Sequence, residues 1–74
     1  MQLEFMADEP VGEGQLLIYL DEEGAEQLLH AINAARRSGH EHLMTAQWGG
    51  GELTISSGSV RTFNKVTVTF EAAG

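Results

Sequence analysis

Cysteine is absent from this 74-residue chain. No disulfide can brace it, so stability has to come from apolar packing or from a partner subunit. A chain without cysteine also suits a reducing cytoplasm. Basic residues are scarce: four Lys and Arg stand against eleven Asp and Glu, for a formal net charge of −7. Nucleic acids and anionic membranes are bound through clustered positive charge, so neither is an expected partner. Long apolar runs are missing too. The longest, Leu16 to Leu20, is far too short to span a bilayer, and no basic segment leads into an apolar one near Met1. The expectation is a soluble, unprocessed, cytoplasmic protein made of one domain over residues 1–74, with no repeat or linker inside it.

What is present has the composition of a folded domain. Hydrophobic residues make up 42% of the chain, enough for a small core despite nine glycines. The excess of carboxylates has two readings. It keeps a small protein soluble and monodisperse, or it steers the domain onto a basic protein partner.

The pattern along the chain predicts an α+β fold. Met1, Leu3 and Phe5 alternate with Gln2 and Glu4, the period of a half-buried strand. Asp8 to Gly14 supplies turn residues, and Gln15 to Leu20 reads as a second strand paired with the first, with Leu16, Ile18 and Leu20 facing the core. Asp21 is a good N-cap, with Glu22 and Glu23 in the first turn and Arg36 and Arg37 in the last. Ala25, Leu28, Leu29, Ile32 and Ala35 recur at helical spacing, and Gly39 suits the residue after a helix. An amphipathic helix is expected from about Glu22 to Ser38. Glu41 to Ala46 and Glu52 to Ser56 then read as short strands separated by Trp48 and three glycines, with Ser57 to Ser59 as a turn. Strand character returns from Val60, and from Lys65 to Glu71 the residues Val66, Val68 and Phe70 alternate with Thr67 and Thr69. The order is ββαβββ: one helix packed on a four- or five-stranded, mainly antiparallel sheet in two layers. A single helix leaves the other sheet face open, with Leu17, Tyr19, Thr67 and Thr69 on it. Homodimerisation through that face or an edge strand is a second expectation.

The densest chemistry lies between Gly39 and Thr54, which hold two of the three histidines, the only tryptophan and Gly49-Gly50-Gly51. His40 and His42 project to one face of a strand and could start a metal site, but the further ligands on offer are His30 and scattered carboxylates. No serine sits in a strand-to-helix elbow, and neither a helix start nor a lysine follows the glycines. The expectation is a protein without catalytic residues, bound metal or cofactor. Trp48 closes the end of the core, or it is an exposed aromatic anchor flanked by Glu41 and Glu52. Glu41, His42, Trp48 and Glu52 are the candidate partner-binding residues.

The run from His40 to Thr54, His-Glu-His-Leu-Met-Thr-Ala-Gln-Trp-Gly-Gly-Gly-Glu-Leu-Thr, resembles the signature of the family called immunity protein 32, small proteins assigned to bacterial polymorphic toxin systems. The acidic helix start Leu20-Asp21-Glu22-Glu23-Gly24 and the final alternating strand are similar as well. The chain departs from the family where Thr54-Ile55-Ser56 follows the Glu-Leu pair and in Arg61-Thr62-Phe63-Asn64-Lys65. What the resemblance implies is a protein that binds a cognate toxin and blocks it without catalysis of its own.

Overall fold

The computed structural model describes residues 1–7, 14–55 and 62–72. Its elements are β1 (Leu3–Ala7), β2 (Leu16–Leu20), α1 (Glu22–Ser38), β3 (His40–Met44), a 3-10 turn at Ala46–Trp48, and β4 (Lys65–Thr69). The class is α+β, with one helix and two antiparallel two-stranded sheets, β1-β2 and β3-β4. The expected fourth strand is a correction. Within Glu52 to Ile55 only Leu53 pairs, in an isolated parallel bridge to Thr45, because the glycine turn returns the chain alongside β3 for just one residue. Ser56 to Arg61 and Asp8 to Glu13, which carry the remaining turn expectations, lie outside the described residues.

The helix follows from its end signals. Asp21 sits in extended backbone, and its Oδ1 accepts from the Gly24 N–H at 2.8 Å. At the other end Gly39 takes φ +97°, and its N–H donates to the Ala35 carbonyl at 2.7 Å. A residue with a Cβ would be strained in that left-handed conformation.

The buried face of α1 is not the one that its larger residues trace. Gly24, Ala31 and Ala35 are buried and Leu28 is half-buried, whereas Leu29 and Ile32 are exposed. The spacing 24, 28, 31, 35 is as helical as the expected stripe, and small residues on it bring the helix axis close to the strands. The core is Leu3, Phe5, Ala31, Leu43 and Leu53, with Leu28, Val66 and Val68 packed against it.

Two strand expectations change as well. Register places Leu16, Ile18 and Leu20 opposite Ala7, Phe5 and Leu3, hence on the core side, but all three stay exposed. The helix lies mainly over β3 and barely reaches β2. Glu4, on the alternate face, is fully buried, and its Oε2 accepts from the Thr62 hydroxyl at 2.6 Å. Main-chain bonds draw the 62–63 segment against β1, with Phe63 N–H on the Phe5 carbonyl at 2.9 Å and a Met6–Thr62 bridge. Phe70 ends the last alternation exposed rather than in the core. No described helix is long and apolar enough to cross a membrane.

Candidate functional site

Strand β3 has one paired edge and one that is only partly used. Its bonds to the β4 side run through Gly39 and Thr45: the Phe70 N–H donates to the Gly39 carbonyl, and the Thr45 N–H to that of Asn64, both at 2.9 Å. Alternation along an antiparallel pair then turns the main-chain groups of His42 and Met44 to the opposite edge. Two carboxylates meet them there. Glu41 Oε1 accepts from the His42 N–H and Glu52 Oε1 from the Met44 N–H, each at 3.3 Å. At Met44 the edge continues into protein, since its carbonyl accepts from the Leu53 N–H at 3.1 Å.

The turn that delivers Glu52 gives separate tasks to its glycines. Gly49 has φ +96° and closes the 3-10 turn, with its N–H on the Ala46 carbonyl. Gly50 donates to the Thr45 carbonyl at 3.0 Å, and a Cβ there would lie 2.6 Å from the Met44 carbonyl oxygen. Gly51 has open space around it. The reversal at 49 and 50 is therefore a structural requirement, and it sets Glu52 beside β3.

Between α1 and this edge lies an open cleft of about 280 Å³, bounded by Gln27, His30, Glu41, His42 and Glu52 around a floor of Ala31 and Leu43. The side chains of Glu41 and Glu52 bring two carboxylates to it, and no described Lys or Arg borders it. Such a site suits an ammonium or guanidinium group, which carboxylates bind through short charge-assisted hydrogen bonds.

Of the residues singled out in the sequence, Glu41, His42 and Glu52 meet here. Trp48 does not. Its indole is 56% exposed on the 3-10 turn and takes no part in the core, so it does not close the core end. Gln27 and His30 are cleft residues that sequence reasoning did not assign. They flank Ala31 on the helix, and the small-residue face through Gly24 and Ala35 was the signal that could have oriented them.

The histidines of β3 share a face, with ring centroids 5.1 Å apart and planes tilted by 54°. His42 Nδ1 lies 2.9 Å from the hydroxyl of Thr67, its partner across the strand pair. Among the described residues no group of three or more His, Asp or Glu is placed to hold a metal ion.

No protein-family model matches the chain, and neither a curated protein nor a solved structure is found to be similar to it.

Proposed function

We propose that this chain is a non-catalytic protein-binding domain of the bacterial cytoplasm, an immunity protein that neutralises a cognate toxin by occluding it. The observation that carries the reading is the meeting of Glu41 and Glu52, eleven positions apart, at one cleft that no described cation borders. They belong to the segment that resembles immunity protein 32, and the −7 charge of the chain favours approach to a basic surface. A Lys or Arg of the partner enters between α1 and β3, bound by the two carboxylates. Trp48, exposed nearby in sequence but outside the cleft, supplies a separate apolar contact. The two hairpins are taken as parts of one four- or five-stranded sheet, interrupted where the Met6–Thr62 and Thr45–Leu53 bridges stand in for continuous pairing.

The test is co-expression with the product of the adjacent gene, assayed for toxicity, followed by affinity measurement. Glu41→Lys with Glu52→Lys is expected to weaken binding by roughly 10- to 100-fold, the scale of opposed charges at an interface. Circular dichroism should not change. Undiminished affinity would remove the cleft from the interface, and a toxin that stays active in the presence of the wild-type chain would overturn the immunity reading.

A further inference from the structure

Strand β2, Leu-Leu-Ile-Tyr-Leu, carries none of the usual protection of a sheet edge: no charge, no proline and no bulge in its pairing with β1. No described residue outside β1 pairs with it. Its free main-chain groups can be assigned by parity. In β1 the Leu3 carbonyl accepts from Thr54 and the Phe5 carbonyl from Phe63, so these residues point away from β2. Gln2 points toward it, since its carbonyl accepts from the Asp21 N–H at 3.1 Å. The Glu4–Tyr19 and Met6–Leu17 pairs are therefore the bonded ones, and Leu16, Ile18 and Leu20 turn their N–H and C=O groups to the open edge.

The same three residues expose their side chains, at 56%, 44% and 42%. The edge with which no described residue pairs and the exposed apolar side chains thus coincide, symmetrically about Ile18. Leu16 extends that surface into a depression of about 240 Å³ with Phe5, Phe63, Val66 and Lys65.

We infer that β2 is the contact of a two-fold homodimer, in which it pairs antiparallel with β2 of a second copy about an axis at Ile18. Ile18 then faces Ile18 of the second copy, and Leu16 and Leu20 exchange partners across the axis. Each of these pairs joins residues whose amides already point outward, so a regular ladder forms without a change of register. On the core side, Leu16, Ile18 and Leu20 of the two copies cover one another where α1 does not reach. A strand without charge is also where a chain of net charge −7 can meet itself with least repulsion.

The exposed parts of Leu16, Ile18, Tyr19 and Leu20 amount to roughly 350 Å² per protomer, taking about 200 Å² for a large residue. With the strand backbone and its flanks, the contact comes to about 1,000 Å² in total, the lower end for a specific interface. A dimer with micromolar affinity is expected.

Sedimentation equilibrium of the full chain over a concentration series tests this. Wild type should pass from monomer to dimer, and Ile18→Lys, which sets two ammonium groups face to face at the axis, should weaken association at least tenfold. Ile32→Lys, at a 40% exposed helix position, should leave it unchanged. A second measurement does not depend on how the lysine variant folds. Because the chain has no cysteine, Ile18→Cys can crosslink only between copies, and the spacing of about 5.5 Å between Cα atoms of a bonded antiparallel pair lies within disulfide range. Rapid formation of a covalent dimer by Ile18→Cys but not by Leu29→Cys is the expected result. A wild type that stays monomeric up to millimolar concentration, or equal crosslinking of both variants, would overturn the proposal. Toxin binding at the β3 cleft is read separately and is unaffected by either outcome.

Discussion

Gly24 should tolerate no side chain, although it lies inside a helix where alanine is the better helix former. Propensity alone makes Gly24→Ala stabilising by about 1 kcal/mol. The structure reverses the sign. A Cβ on Gly24 would stand 1.7 Å from the carbonyl oxygen of Gln2, 2.7 Å from its carbonyl carbon and 3.2 Å from Leu20 Cβ. The first two are main-chain atoms and cannot swing aside. The Gln2 carbonyl is held further by the Asp21 N–H, so relieving the overlap means lifting the start of α1 from β1 and stretching that bond. Overpacking costs typically 1–3 kcal/mol and a lost hydrogen bond about 1; after the propensity gain the net is about 1–3 kcal/mol. For a domain of this size that is a thermal midpoint lower by roughly 5–20 °C. Thermal and urea unfolding should be measured beside Asn33→Ala, at an exposed position of the same helix, which should gain about 0.5 kcal/mol. If Gly24→Ala matched Asn33→Ala, the close approach of helix and strand would be refuted.

The three consecutive glycines should respond differently to the same change. Gly49→Ala must hold φ near +96° and should lose about 1–2 kcal/mol; Gly50→Ala meets the Met44 carbonyl and should lose about 1–3 kcal/mol. Gly51→Ala, with open space around it, should gain up to about 1 kcal/mol by restricting the unfolded chain. Equal responses in urea unfolding would show that the turn does not have this geometry. Asp21 should couple stability to acid. Backbone amides of Gln2 and Gly24 hold its carboxyl below the ordinary value of 3.8, so its contribution is present above that pH and fades as pH falls through the lowered value. Asp21→Asn keeps a capping oxygen but not the charge. Its thermal midpoint should lie below wild type at neutral pH, and the two curves should converge under pH 3.8; a constant gap would contradict the coupling.

Where the signal is local, the sequence predicts this fold well. The helix begins after Asp21 and ends before Gly39 because both caps act within four residues of themselves. The β1-β2 hairpin and the alternation of Val66 and Val68 with Thr67 and Thr69 are equally local. Which stripe of a helix is buried is decided by its neighbours instead. Ala31, Ala35 and Gly24 carry little hydrophobicity, so the pattern drew attention to Leu29 and Ile32, but close packing of α1 on the strands selects the small residues. Glu4 is the same lesson in reverse. Alternation alone gives it to solvent, and its burial depends on Thr62, fifty-eight positions away, arriving against β1.

The site divides along the same line. Residue type was enough to single out Glu41, His42 and Glu52, since each is polar and lies beside a strand. Their convergence required the glycine turn to place Glu52 at the Met44 amide, a contact between residues eight positions apart. Trp48 belongs to the same segment but follows a different rule. The 3-10 turn that precedes Gly49 carries the indole outward, while the chain beyond it returns Leu53 to the core. The segment thus sends one apolar residue into the interior and leaves the largest outside, where burying it in this fold would undo the turn that positions Glu52. Exposure of Trp48 is therefore a consequence of building the cleft edge. Its use as an anchor would need a partner broad enough to reach both the cleft and the turn.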